Sequence, residues 1–265
     1  MAAFAGPADW WTDGTNEGRT HIATKGVVQD SLVLNLDAGV SSSYPGSGIT
    51  WTDLSGNGNN GTLTNGPTFS SNDGGSIVFD GANDYLDLGT QINSDITTTD
   101  VTISFWAYID STAADEVFVS MEYLTPNAPL LIWYDTTVAS RNNTGTNDVG
   151  GGSTNAITVM VTDSTSEKRF TTSDNALSAT TWYNIAVVLD VTNNEFYTYI
   201  NGVEEAKWVS NNTSGGIKSS TNDFRIGGGT PYLDGRISQF LVYTQALTAS
   251  EVAQNYNALK GRYGY

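Results

Sequence analysis

The stretch Val101-Thr102-Ile103-Ser104-Phe105-Trp106-Ala107-Tyr108-Ile109 decides the fold class. Val101, Ile103, Phe105, Ala107 and Ile109 alternate with Thr102, Ser104, Trp106 and Tyr108, and a period of two puts the first set on one face of a β-strand. That face belongs to a core. The opposite face is aromatic rather than charged, so the chain covers it, or it lines a groove, or it meets a partner. Similar short alternating or fully apolar runs recur outward from it, separated by Gly, Asn, Asp and Ser clusters. On the amino-terminal side these are Leu32 to Asp37, Ser76 to Phe79 and Tyr85 to Leu88. On the other side come Val117 to Met121, Leu130 to Tyr134, Ile157 to Val161, Arg169 to Thr172 and Thr181 to Leu189. Phe196 to Ile200, Val203 to Val209, Phe224 to Ile226 and Arg236 to Tyr243 complete the set. So many short strands suit two packed sheets.

Local signals refine this reading. Asn201-Gly202 joins two of the runs, and Asn-Gly adopts the two positive φ angles of a type I′ hairpin turn cheaply. One helix is expected from Ala249 to about Leu259, opened by the capping box Thr248-Ala249-Ser250-Glu251. Leu247 and Val252 take the staple positions, Val252, Tyr256 and Leu259 form one apolar stripe, and Gly261 is the expected left-handed stop. Gly81, Gly202 and Gly235 are expected where turns need positive φ or a missing side chain. Asp80, Asp84 and Asp234 are read as turn carboxylates. Residues 1–30, with Gly6-Pro7 and Trp10-Trp11, lack alternation and read as an arm or attachment segment, leaving 31–265 as one domain. Arg141 to Asn155, with three consecutive glycines, reads as a loop.

Composition narrows the function. The 265 residues carry 11 Lys+Arg against 28 Asp+Glu, a net charge of −17, which opposes nucleic-acid binding because phosphates must be neutralised by cations. Hydrophobic residues are only 38%, but 7 Trp, 13 Tyr and 9 Phe argue for a packed core rather than disorder. Cysteine is absent, which excludes disulfides, thiolate metal sites and cysteine nucleophiles. No signal-peptide pattern opens the sequence and no run reaches the roughly 20 apolar residues of a spanning helix, so synthesis inside a cell without membrane insertion is expected.

Several blocks then stand in a telling order. Leu32-Val33-Leu34-Asn35-Leu36-Asp37-Ala38 is followed by Trp51-Thr52-Asp53-Leu54-Ser55-Gly56-Asn57-Gly58 and by Phe79-Asp80-Gly81-Ala82-Asn83-Asp84-Tyr85. Trp182-Tyr183-Asn184, Tyr199-Ile200-Asn201-Gly202 and Leu233-Asp234-Gly235-Arg236-Ile237 lead into the helix. Together they resemble a laminin-G-like jelly roll of the concanavalin A-like lectin/glucanase superfamily. The resemblance implies an all-β, two-sheet antiparallel jelly-roll sandwich with one short C-terminal helix. The opening and closing blocks also resemble laminin-G-like domains in virion proteins of tailed phages, particularly marine and cyanobacterial ones.

That resemblance implies a non-enzymatic virion structural protein, assembled in the host cytoplasm and displayed in many copies as a capsid decoration or as a neck or tail appendage. Its expected partners are other virion proteins and host-surface glycans. The alternative is a carbohydrate-binding lectin module of a cell-surface or secreted protein. Trp10 and Trp11 are the expected attachment residues, since buried aromatics anchor interfaces. Trp106 and Trp133 are the expected glycan-binding residues, with Trp51, Trp208 and Tyr232 also available for stacking on sugar rings, whereas Trp182 is expected in the core. No cofactor is required. Calcium is the one ion the Asp/Asn/Gly loops suit, with Asp53, Asn57 and Asp234 as ligand candidates. The Glu-x-Asp-x-Glu motif of the family's glucanases is absent, Asp115-Glu116 and Glu204-Glu205 read as solvated pairs, and His21, the sole histidine, lies in the arm. Catalysis is therefore not expected.

Overall fold

A computed structural model describes residues 26–97, 99–121, 128–136, 154–163, 167–172, 175–209 and 216–265. Trp10, Trp11, His21 and most of the predicted loop at 141–155 lie outside the described residues. In chain order the strands are β1 (Leu32–Asp37), β2 (Thr50–Trp51), β3 (Gly61–Thr64), β4 (Thr68–Ser70), β5 (Ser76–Asp80), β6 (Tyr85–Asp87), β7 (Val101–Ile109) and β8 (Glu116–Met121). They continue as β9 (Leu130–Asp135), β10 (Ala156–Thr162), β11 (Glu167–Thr171), β12 (Trp182–Asp190), β13 (Glu195–Ile200), β14 (Val203–Val209), β15 (Phe224–Ile226) and β16 (Asp234–Tyr243). A one-turn helix, α1 (Asn93–Ile96), and α2 (Ala249–Leu259) complete the regular structure with short 3-10 turns.

The strands form two antiparallel sheets. Sheet A runs β14-β13-β12-β7-β16-β5-β4, with β1 added along β16, and sheet B runs β11-β10-β9-β8-β15-β6-β3-β2. The alternating runs suited two packed sheets, and this is the jelly-roll sandwich that the family resemblance implied. Strand β7 sits between β12 and β16, with Phe105 opposite Ile185 and Phe240. The inward set of β7 is buried as expected. Phe105 stacks on Phe240 at 5.5 Å and meets Phe118 of the other sheet at 5.3 Å, so one aromatic contact ties the layers together. Each such ring contributes about 1.5–3 kcal/mol by leaving water. β2, β3 and β4 were missed in the sequence because strands of two to four residues are too short to show a period.

The chain itself covers most of the outward face of β7, with Tyr108 left half-buried. Helix α2 and residues 27–28 bury Leu247, Val252 and Val28 against Ala186, Val188, Tyr199, Leu241 and Tyr243 of sheet A. The capping box forms in full, with the Glu251 N–H donating to Thr248 and the Glu251 carboxylate accepting from the Thr248 N–H. Asn255 was not singled out by periodicity, yet it is buried. Its Oδ1 accepts from the Val28 N–H at 2.8 Å, its Nδ2 donates to the Tyr243 hydroxyl at 3.0 Å, and that hydroxyl donates to the Val28 carbonyl. Packing on the domain thus begins before residue 31.

Gly261 is not the left-handed stop. The chain continues as a 3-10 turn over Lys260–Tyr263, and Gly264 takes the positive φ of 85°. Tertiary contacts explain the extension. Arg262 donates to both Asp37 oxygens, at 2.7 and 3.2 Å, and Tyr263 lands on Trp106, which a stop at Gly261 would prevent. The Asn201-Gly202 turn has φ of 52° and 77°, as a type I′ hairpin requires. At Gly235 the need is space, since a Cβ would stand 2.3 Å from the Tyr108 carbonyl oxygen.

Candidate functional site

Trp106 and Trp133 do not present open rings for a sugar. Both are fully buried. Trp106 lies beneath Tyr263, Tyr256 and Tyr265 at 4.0, 5.7 and 6.1 Å. Trp133 packs in a small cluster with Val117, Ala128, Leu131 and Met160, and its Nε1 donates to Asp135. Alternation put Trp106 on the outward face of its strand, but it cannot say which outward aromatics are later covered. Trp51 and Trp208 are buried too, Trp182 is 5% exposed, and Tyr232 remains half-buried.

Asp53, Asn57 and Asp234 do not converge. Asp53 accepts from the N–H groups of Asn35, Ser55 and Asn59 and from the Ser55 hydroxyl, so its lone pairs close a turn. The Asn57 amide donates to the Leu32 carbonyl and to Ser55 in the same loop. Asn35 pairs with Leu241 on β16, and Asp234 lies seven residues further along that strand, roughly 20 Å away at about 3.3 Å per residue. Among the described residues no three His, Asp or Glu side chains converge as metal ligands.

Asp234 belongs to an acidic end of the sandwich instead. Burial raises its pKa, and Asp110 and Asp80 add to the effect. Glu116, expected in solvent, is 3% exposed because β8 starts at this residue and turns it inward opposite Tyr134. Burial, reinforced by Asp234 and Asp110, pushes its pKa to about 9. Asp80 behaves as a turn carboxylate, with the Ala82 N–H holding its pKa down, whereas burial raises that of Asp84. Glu204 and Glu205 are exposed.

The open polar surface lies on the outer side of sheet B. Strand register places Thr62, Asp87, Arg225 and Ser120 in one row across β3, β6, β15 and β8; its open part is Thr62, Asp87 and Arg225, since Ser120 is buried and donates to the Gly228 carbonyl. Beside the row stand Thr64 and Tyr85, paired across β3 and β6. Leu86 and Ile226 point inward into the core, which turns Tyr85, Asp87 and Arg225 outward. The Arg225 guanidinium lies 4.7 Å from the centroid of the half-buried Tyr85 ring. It donates to Asp223 at 3.2 Å and approaches Asp87 at 3.9 Å, while its side chain stays 40% exposed. Asp87 is itself held by the Gly89 N–H at 2.8 Å.

Arginine has five N–H donors in a fixed fork; here Nη2 donates to Asp223 and Nε is buried, which leaves the other Nη hydrogens for the surface. Those hydrogens, the Thr62 hydroxyl, the Asp87 carboxylate and an aromatic ring share one patch. That combination suits a polyol, whose vicinal hydroxyls need donors and acceptors and whose C–H face packs on an aromatic ring. Nothing in the sequence pattern isolates this patch, because β3 and β15 are too short to reveal their outward positions. The one available cue was the alternation of Arg225 between Phe224 and Ile226.

Comparisons with known proteins agree with this architecture. The model of a family described as the concanavalin A-like lectin/glucanases superfamily matches residues 80–253. A search of curated proteins finds no match by sequence. Among solved structures, domain 4 of AbnA, an extracellular arabinanase from Geobacillus stearothermophilus in complex with arabinotriose, is similar at 17% identity and TM-score 0.58, over 85% of this chain and 98% of that one. The binding domain of botulinum neurotoxin serotype D is similar at 15% identity and TM-score 0.60, over 86% of this chain and 52% of that one. A sialidase from Trypanosoma rangeli matches at 13% identity and TM-score 0.56, over 89% of this chain and 34% of that one. The chain thus spans about half of the neurotoxin domain and a third of the sialidase. With the family model covering most of the chain and both sheets in the expected arrangement, the protein belongs to the laminin-G-like branch of the concanavalin A-like lectin/glucanase superfamily.

Proposed function

We propose that this chain is a non-enzymatic glycan-contacting module displayed on a larger assembly, with the outer side of sheet B as its contact surface. The observation that carries the reading is the Tyr85–Arg225 pair in its row of Thr62 and Asp87, open to solvent. The arabinotriose complex of a similar domain supports the sugar class. The strongly shifted carboxyl, Glu116, is buried between the sheets rather than set in a groove, so it is not placed to flank a glycosidic bond.

The assembly we propose is a tailed-phage virion, with the chain as capsid decoration or as a neck or tail appendage, built in the host cytoplasm. The opening and closing blocks favour it, as does a cysteine-free chain. Gly26 and Val28 are fastened beside α2 on the outer side of sheet A. The described chain thus begins on the side away from the contact surface, and Trp10 and Trp11 are the attachment anchors we propose. A cell-surface or secreted lectin would share that surface and differ in what carries it.

The test is glycan-array binding by the full chain and by Tyr85→Ala and Arg225→Gln. Binding that falls at least tenfold in both variants with unchanged melting temperature is expected, and unaltered binding would sink the site. Mass spectrometry of purified virions from the source decides the carrier: presence in many copies supports display, and absence favours the lectin alternative. Deleting Met1 to Gly26 should abolish attachment to the particle and leave the sandwich folded.

A further inference from the structure

The Tyr85–Arg225 arrangement has a counterpart on the opposite outer face. On sheet A the Arg236 guanidinium lies 4.6 Å from the centroid of the half-buried Tyr108 ring. It donates to Asp110 at 3.2 Å, and its side chain is 25% exposed. Ring, guanidinium and carboxylate recur here in another arrangement: Arg236 and Tyr108 are direct cross-strand partners and Asp110 follows Tyr108, whereas Tyr85 is diagonal to Arg225 and Asp223 precedes Arg225. Strand register extends the patch into a row of Thr68, Val78, Arg236, Tyr108 and Trp182.

Thr68 is exposed and Val78 half-buried, so the row is open on the β4 side. On the other side it ends at Trp182, which tilts against Tyr108 at 5.5 Å and whose Nε1 donates to exposed Asp73. The C-terminal turn closes that end of the row, since Tyr263 covers Trp106 and Trp182, and it leaves Tyr108 half-open. As on sheet B, one Nη donor is committed to a carboxylate and Nε is buried, so the other Nη hydrogens are what the surface can offer. Arg236 points outward because Ile237 beside it is buried between the sheets.

We infer that Tyr108, Arg236 and Asp110 form a second carbohydrate subsite, so that one copy of the chain holds two glycan chains at once. The inference rests on the glycan-contacting reading of sheet B. The two patches face opposite ways across a sandwich whose sheets are about 10 Å apart, and outward side chains add to that separation. A short oligosaccharide cannot reach both. Two separate glycan chains can, and the chain then acts as a bridge whose avidity exceeds either contact alone.

The experiment uses the full chain, shown to be monomeric by light scattering, and beads coated with arabinotriose, lactose or sialyllactose. Bead agglutination and calorimetric stoichiometry are compared for the wild type, for Tyr85→Ala with Arg225→Gln, and for Tyr108→Ala with Arg236→Gln. Arg236→Lys, which keeps the charge and loses the fork, serves as a gentler variant should the double substitution lower the melting temperature. The expected result is agglutination and two oligosaccharides bound per wild-type chain, against one bound and no agglutination for either double variant. If the Tyr108 and Arg236 variants agglutinate and bind like the wild type, the second subsite is wrong and the sheet B reading stands. If the wild type binds none of the three coatings, both are overturned.

Discussion

Trp106 and Tyr263 stack with ring centroids 4.0 Å apart and 23° between their planes, so a residue two places from the C-terminus caps the middle of sheet A. The Tyr263 hydroxyl donates to Ser238 Oγ at 2.7 Å, and burial pushes its pKa up to about 12. The same turn brings Arg262 onto Asp37, joining the last residues to the first strand. The turn is therefore fastened to the outer face of sheet A and to β1.

Tyr263→Ala should destabilise the domain by about 1–2 kcal/mol, because it removes a half-buried ring stacked on Trp106. Chemical denaturation with tryptophan emission as the signal checks this. A native-state red shift from Trp106 is expected together with the lower midpoint, and an unchanged midpoint would show that the cap is dispensable.

Glu116 makes stability depend on pH in a specified direction. Its Oε2 has no hydrogen-bond partner among the described residues, and it keeps its proton to about pH 9 in the folded state. The unfolded chain releases that proton near the ordinary value of about 4.3. This group's favourable contribution is thus complete at acid pH and is lost as pH rises from about 4.5 to about 9. The loss between pH 5 and pH 8 is on the order of 4 kcal/mol. Glu116→Gln removes the titration, so the variant should match the wild type near pH 5 and exceed it at pH 8 in urea midpoints.

Asp53 spends its oxygens on four protein donors. Asp53→Ala should cost about 2–4 kcal/mol by leaving buried N–H groups without acceptors. For the wild type, melting temperatures in chelator and in millimolar calcium should coincide. A rise of several degrees with calcium would show that the loop opens its carboxylate to the ion.

Gly228 packs flat on the contact surface. A Cβ there would stand 2.9 Å from the Tyr85 Cβ and 3.2 Å from the Arg225 Cβ. Gly228→Ala should lower stability by about 1–3 kcal/mol through overpacking and, by displacing both side chains, weaken glycan binding. Calorimetric titration beside thermal melting separates the two effects.

Much of the architecture was legible before any coordinates. The period-two pattern of β7 announced a two-sheet protein, Asn201-Gly202 a hairpin, and Thr248 to Glu251 the start of α2, because each depends on residues close in sequence. The contact surface was not legible. Trp106 and Trp133 were plausible sugar platforms by residue type, and the fold buries both. Arg225 and Tyr85, 140 positions apart, carried no shared signal.

By itself the sequence determined which faces are apolar, where the chain turns and where the last helix begins, since alternation, backbone φ and capping are local properties. Only the tertiary structure decided which outward aromatics are covered and which stay open, and which carboxylates meet. Those outcomes depend on distant segments, such as the C-terminal turn over Trp106 or β16 against β8 at Glu116. Their burial and charge exist only once the two sheets have closed.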